Sequence, residues 1–506
     1  MTTVEDTLTT TRGQAPRRQL PSRGGKFGEL SAATNGMMLL LYAVSITWPI
    51  KFQLGPLFIT FSRIMLIALL VPMALRILSG RYGGIKSADI FVVLFGLWAF
   101  VSMAVNHGVG NVVESSGMFF VETAGAYMFG RVFMRSAQDF YVFVRFMIIS
   151  VLISLPFATV ELFTGEPFLL DILKSVNPLP GIFVFPDSVD YEPRLGLHRV
   201  QYTLVHPILF GMMCASLVAL CFVVMTRGDG FGKKAFWGSV VIYATFTGLS
   251  SAGWMSGLMQ IAFLIYERFT RWFAFRWKAI FWGFVAFYVF VSIFASHAPL
   301  VVLATKFTLS PHTAWFRVVI WEFGSAEVLR HPIFGIGMND WVRPHWMPPS
   351  VDNHWLLMAM RFGFPGIILL GLAVMIPIFA VGRAKIREYN DLKACQIGYM
   401  CCMISWLVSL CTVAISVEIL SLFMTVLAGG YWIADQARAE AGEVPDPRAR
   451  GGRTTTRSPR RAPPGADTRT DLKTSRTRPA RSTKPPRSER AKPATQPRRK
   501  PLPRRS

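Results

Sequence analysis

The basic residues of this chain fall in every second gap between its long apolar stretches, and that alternation constrains the fold more than any motif. Twelve apolar stretches run at about 30–50, 57–79, 88–106, 112–130, 138–163, 203–226, 235–250, 252–267, 278–297, 364–382, 391–412 and 417–434. A bilayer core about 30 Å thick needs about 20 apolar residues to cross as a helix. The sequence therefore predicts an all-α integral membrane bundle of about twelve transmembrane helices, with the short seventh and eighth stretches open to a re-entrant reading. Lys and Arg gather in the N-terminal arm and then in alternate gaps, as Arg76, Arg81 and Lys86; Arg131 and Arg135; Arg227, Lys233 and Lys234; Arg268, Arg271, Arg276 and Lys278; and Arg383, Lys385, Arg387 and Lys393. The intervening short gaps hold Lys51 and little else. Because Lys and Arg accumulate on cytoplasmic loops, both termini are expected in the cytoplasm. The long gaps at about 164–202 and 298–363 then face outward.

Composition agrees with a membrane domain. The chain is 52% apolar, with 41 Phe and 14 Trp, beyond what a soluble surface tolerates. The first apolar stretch lacks a small-x-small cleavage site and is expected to remain as an anchor. All six cysteines (Cys214, Cys221, Cys395, Cys401, Cys402 and Cys411) fall in predicted spans, so packed, reduced thiols are expected rather than an outer disulfide framework. Three regions follow: an N-terminal arm over 1–29, a membrane domain over 30–434 and a basic tail over 435–506. From Gln436 to Ser506 the tail carries 21 Lys or Arg against 6 acids amid Pro, Ser and Thr, and it accounts for much of the net charge of +24. Such a segment buries too little apolar surface to offset its ordering entropy and is expected to be disordered. It reads as a solvated extension or as an arm that touches anionic lipid headgroups.

Several chemistries lack their signatures. No Walker A loop, D-x-D pair, H-E-x-x-H or paired-Cys motif occurs, and no metal or cofactor is expected. Ionisable residues in or near the spans are Arg63, Glu114, Glu122, Arg145, Glu161 and Glu418. Such groups are costly in lipid and face a cavity or one another, or snorkel where they lie near span ends.

The unusual residues gather in the two long gaps. In the second, Arg317, Trp321 and Glu322 lead to His331-Pro332, followed by Gly335 and Gly337, whose backbone freedom allows close approach to a ligand. Pro348-Pro349-Ser350 then stops any helix, and Asp352-Asn353 opens an apolar one with Gly363 and Gly366 further along. Either Asp352 or Asn353 also reads as a helix cap. His206 and His331 each precede Pro and read as shaping residues at element boundaries. Trp341, Trp346 and Trp355 read as sugar platforms or interfacial anchors.

The stretch from Phe316 to Gly366 resembles the signature region of the O-antigen ligase and polysaccharide polymerase superfamily, bacterial polytopic membrane glycosyltransferases. That family shows a His-Pro followed by G-x-G, then a His-Asn pair with G-x-x-G eleven residues beyond the His. Counting back from Gly363 places Asp352-Asn353 at the His-Asn positions, with His354 displaced by two. The stretch from Arg194 to Gly211 resembles a second family segment, with Arg199 as its Arg, His206-Pro207 as its His-Pro and Tyr202 where the family has Gly. "GLSSAGWMSG" at 248–257 resembles its Ser-Arg-Gly, with Ala252 replacing the Arg.

The resemblance implies a metal-independent transferase at the outer face of the bacterial cytoplasmic membrane. It would polymerise an exported polysaccharide from undecaprenyl-diphosphate-linked repeat units, beside flippase and chain-length partner proteins. Arg199 and Arg317, with Arg194 in reserve, would meet the diphosphate charge bidentately. Asp352, or His354, would take the proton of the attacking hydroxyl. His206, His331, Gly335, Gly337 and Asn353 would shape the loops. A ligase moving the finished glycan to lipid A-core or protein differs mainly in acceptor. A twelve-span secondary transporter is the rival from another class, and it would place its substrate site at mid-membrane between related halves.

Overall fold

A computed structural model describes residues 32–442 except 55–56, 81–83, 177–180, 187–188, 190, 274, 276–277, 280–281, 284, 287–288, 291–292, 294–310, 387 and 389. The chain divides into two units, Met1–Arg450 and Gly451–Ser506, and every described residue belongs to the first. The N-terminal arm, nearly all of the predicted tail and much of the predicted span at 278–297 therefore lie outside the described residues.

The structure is mostly helical. Among the described residues seven helices are long and apolar enough to cross a membrane: Phe61–Leu78, Ser87–His107, Ala137–Thr164, Pro207–Met225, His354–Gly382, Asp391–Ser409 and Val417–Glu440. The other predicted stretches hold a shorter apolar helix, Ala32–Ile46, the run Val109–Phe120, Val121–Gly125 and Ala126–Phe133, and the pair Phe231–Thr247 and Ser251–Phe269. Local chemistry sets several ends. Ser136 caps the 137–164 helix by accepting the Asp139 N–H at 3.1 Å, and Gly165 ends it in the left-handed region at φ 78°.

Two expectations are corrected. The fold is not purely helical, because a three-stranded antiparallel sheet lies between the first two predicted spans and takes the first residues of the second. Ile50–Leu54 pairs with Leu57–Thr60 on one side and Ile182–Val184 on the other, with Phe52 opposite both Ile59 and Ile182. Pro49 cannot continue the preceding helix, and the two short apolar runs that follow pair with each other as antiparallel strands. The two long gaps hold helices of their own, Phe168–Val176 and Pro311–Arg330. The tail does not begin at 435, because Tyr431–Glu440 is helical through that point. Of the cysteines, Cys411 lies exposed beyond the 391–409 helix, while the other five are buried and unpaired.

The packed interior holds the charged groups in pairs. Arg63 and Glu122 meet at 2.5 Å, with Glu122 in a π-helical turn over 121–125. Arg131 and Asp89 meet at 3.1 Å, and the Tyr127 hydroxyl donates to Asp89 at 2.7 Å. Each pair satisfies groups whose isolation in low dielectric would be expensive.

The long 354–382 helix is two helices joined at Gly363, which is non-helical at φ 68° and ψ −173°. There the segment 332–337 crosses the helix backbone to backbone. Phe364 N–H reaches Pro332 O at 2.7 Å, Ile336 N–H reaches Met360 O at 2.8 Å and Gly337 N–H reaches Arg361 O at 3.0 Å. A Cβ on Gly363 would lie 2.1 Å from Ile333 O, and one on Gly335 would lie 2.4 Å from Met360 O. The tight passage at Gly335 and Gly337 thus packs against the protein's own chain, Gly335 on the backbone of Met360 and Arg361 and Gly337 on the side chains of His107 and Asn106. We expect Gly363→Ala to lose about 1–3 kcal/mol from backbone strain alone, plus the clash, read as a lower melting temperature of the detergent-purified protein. Gly371→Ala, where a Cβ meets nothing within 4 Å, should be neutral or slightly stabilising.

Candidate functional site

The segment 194–206 is pinned from two sides by backbone hydrogen bonds. Arg194 and Leu197 exchange two, at 2.9 and 3.0 Å, closing a turn whose central residues Leu195 and Gly196 both have positive φ. His198 N–H reaches Leu162 O at 3.0 Å and Val200 N–H reaches Thr247 O at 3.2 Å. Glu161, buried near the end of the 137–164 helix, accepts the Gln201 N–H at 2.6 Å and the Tyr202 N–H at 3.1 Å. Tyr202 adopts φ 54°, a conformation that favours glycine. On the far side, an Arg194 Nη1–H donates to Leu249 O at 3.0 Å. The helices carrying these contacts approach closely, since a Cβ on Gly253 would lie 2.9 Å from the Gly211 carbonyl carbon.

This framework gathers charge. Arg199 Nε and Nη2 are enclosed and have no hydrogen-bond partner among the described residues, and its guanidinium lies 5.7 Å from the Tyr191 ring centre. Burial and the like charge of Arg194 push the Arg199 pKa down to about 10, so it remains cationic near neutrality. Arg317, from the 311–330 helix, is also lowered by burial; Asp352 opposes that shift and Arg194 adds to it. Asp352 is raised by burial, against the pull of Arg317. Three cations from two distant stretches of sequence thus act on one another electrostatically, Arg194 on both Arg199 and Arg317, with the Asp352 carboxylate beside Arg317. Arg194 has the exposed Glu192 as an additional opposite charge.

Of the residues singled out from sequence, Arg194, Arg199, Arg317, Asp352 and His206 come together. His206 caps the 207–216 helix, its Nδ1 accepting the Ile208 N–H at 3.1 Å, and its ring stands edge-on to Tyr191 at 4.8 Å. Asn353, not Asp352, caps the helix that follows, its Oδ1 accepting the Leu356 N–H at 3.1 Å, which leaves the Asp352 carboxylate for Arg317. His354 does not reach the cluster. It is 2% exposed, its backbone N–H is bonded to Leu410 O at 2.9 Å, and the charge beside it is that of Arg361. His331 stays at the surface, 3.6 Å from Glu327. Gly335 and Gly337 belong to the backbone crossing described above.

Among the tryptophans, Trp341 is buried with its Nε1–H on Pro349 O at 3.1 Å, and Trp355 donates to Leu407 O at 3.3 Å. Trp346 stacks on Trp315 at 5.4 Å, both about half exposed. Tyr191 and the anchoring role of Glu161 escape a reading by motif. A glutamate at the end of an apolar run, followed by a loop with no cap of its own, is the one signal that points to the latter. Among the described residues no group of three or more His, Cys, Asp or Glu side chains is placed to hold a metal ion.

Cap geometry at His206 has a pH consequence. Burial, reinforced by Arg199 and Arg194, lowers its pKa from 6.5 to about 4. Between those values the unfolded chain binds the proton and the folded chain does not, so stability falls as pH drops through this window. We expect the wild type to lose melting temperature from pH 6.5 to 4 more steeply than His206→Asn, which keeps a capping acceptor but does not titrate.

No protein-family model matches the chain, and no curated protein matches its sequence.

Proposed function

We propose that this chain is a membrane glycosyltransferase that extends an exported glycan, taking the growing chain from a lipid-linked diphosphate and passing it to the next lipid-linked unit. The observation that carries this reading is the grouping of Arg194, Arg199 and Arg317, the last beside Asp352, with two enclosed nitrogens of Arg199 lacking a hydrogen-bond partner among the described residues. A buried guanidinium without an acceptor is costly, and a diphosphate supplies what it lacks. Asp352 immediately precedes the 354–382 helix, one of the helices able to cross a membrane. That position is headgroup depth, where the phosphates of a lipid-linked substrate reside.

In the reaction, the acceptor hydroxyl oxygen bonds to the anomeric carbon while the bond from that carbon to the diphosphate oxygen breaks. The electron pair leaves with the diphosphate, and fixed guanidinium groups meet the developing charge without reorganising. Asp352 accepts the hydroxyl proton; its raised pKa brings it closer to the working pH of a general base. Further support comes from the likeness noted in the sequence. The stretches 194–211 and 248–257 touch through Arg194 and Leu249, and 316–352 joins them through Arg317. Tyr202 also takes a left-handed backbone where the resembled pattern carries Gly. In this reading the remaining apolar helices complete a twelve-span layout, both termini lie in the cytoplasm, and the cluster faces outward across a bacterial inner membrane.

The test is made in cells and with the purified protein in lipid. Arg199→Gln and Arg317→Gln should each lower transfer by roughly 10²–10³, and Asp352→Asn by roughly 10²–10⁴, with melting temperature unchanged. The acid limb of the rate profile should sit above the usual carboxylate range and vanish in Asp352→Asn. Deleting the gene should cause single lipid-linked repeat units to accumulate. Long uncapped chains would instead assign ligase activity, and full polymer output from the double arginine variant would overturn the reading.

A further inference from the structure

At the other end of the 354–382 helix the structure holds a second basic feature. A cavity of about 490 Å³ opens between the end of that helix and the helix 431–440, lined by Arg383, Lys385 and Arg438, by Ile376 and Phe379, and by five alanines. Its volume lies in the range of ligand-binding cavities. From Phe364 to Gly382 the second part of the helix runs about 28 Å at 1.5 Å per residue, close to the thickness of a bilayer core. The cavity therefore lies at the membrane face opposite the Arg199 cluster.

The cations around it are left over after the local backbone is satisfied. The Gln396 amide donates to Val381 O at 2.7 Å and Ala384 O at 2.8 Å. These bonds occupy carbonyls that would otherwise attract the basic side chains. Arg383 lies over the Phe379 ring at 5.4 Å, and Lys385 has no ion pair among the described residues. Asp435, on the same helix as Arg438, binds Lys86 at 2.7 Å and stands 3.8 Å from Arg438. The lining itself holds three cations and no acid. The alanines keep the space open, and the exposed Phe379 continues the wall toward the lipid-facing side of the helix.

We propose that this cavity binds the headgroup of an anionic glycerophospholipid, its phosphate between Arg383, Lys385 and Arg438 and its acyl chains along Ile376 and Phe379. Basic pockets between membrane helices at their ends suit such headgroups. The chain beyond the 431–440 helix adds positive charge, because from Ala441 onward it carries 20 basic residues against 5 acids. This inference is independent of the proposed transferase reaction, which uses the opposite end of the bundle.

The experiment is native mass spectrometry of the full chain released from nanodiscs of phosphatidylethanolamine containing phosphatidylglycerol, counting retained lipids of each kind. The wild type should retain phosphatidylglycerol selectively. Removing one cation near a lipid surface should lower retention roughly fivefold, so Arg383→Gln with Lys385→Gln and Arg438→Gln should abolish selectivity. The basic tail is identical in every sample, and its diffuse attraction cancels from the comparison. Ala380→Phe fills the cavity and keeps every cation, so it should lose retention too and serves as the readout if the triple variant fails to fold. Unchanged selectivity in Ala380→Phe would overturn the proposal. Displacement of the lipid by glycerol phosphate alone at equal concentration would also overturn it, marking a simple anion site.

Discussion

Three guanidinium groups lie within electrostatic reach of one another where the two long connections meet, and the surrounding structure holds them there. Burying like charges together is unfavourable, so the fold needs rigid supports that do not themselves consume the positive charge. Glu161 is the clearest of these. It lies one turn before the end of an apolar helix, and it spends its acceptor capacity on the backbone N–H groups of Gln201 and Tyr202. The segment carrying Arg199 is thereby fixed by an acid that leaves the guanidinium alone. Arg194 gives one donor to a backbone carbonyl, that of Leu249, a neutral acceptor that orients it without cancelling its charge.

The same economy separates Asp352 from Asn353. Adjacent residues at the start of an apolar helix compete for one task, the capping of free N–H groups. Asn353 performs it through Oδ1, and the amide carries no charge. Had Asp352 been the cap, its carboxylate would have been drawn to the helix N-terminus and away from Arg317. His354, one step further, is already inside the helix and buried among apolar neighbours. A shift of one or two residues along the chain therefore decides whether a polar group faces the cluster or the interior.

The sequence made much of this legible, for physical reasons that differ by element. Long apolar runs such as 137–164 and 391–409 declare themselves because backbone polar groups in lipid must be satisfied within the segment. The hairpin of Ile50–Leu54 and Leu57–Thr60 stayed hidden inside such runs, since four or five apolar residues read the same in a strand as in a helix end. Arg194, Arg199 and Arg317 could be singled out through the resemblance of the stretches 194–211 and 316–366 to segments of a known family, and because guanidinium groups suit diphosphate. Their convergence is a matter of tertiary structure and had no local signal. Tyr191, which lies against both Arg199 and His206, is one aromatic among many in this chain. The direction taken by His354 could not be read without knowing which of two neighbouring residues caps the helix.

The 354–382 helix ties these features into one mechanical unit. Its first residue follows Asn353 and Asp352 at the cluster, its break at Gly363 is clasped by the segment 332–337, and its last turn carries Arg383 beside the basic cavity. The break matters because the 332–337 segment belongs to the same connection as Arg317, the side chain that Asp352 faces. Three backbone hydrogen bonds at that crossing, on Met360, Arg361 and Phe364, hold the connection to the helix two to three turns beyond the carboxylate. Backbone contacts of this kind have no rotamer freedom to absorb a shift. The crossing at Gly363 therefore restrains the connection that carries Arg317 against the helix that follows Asp352.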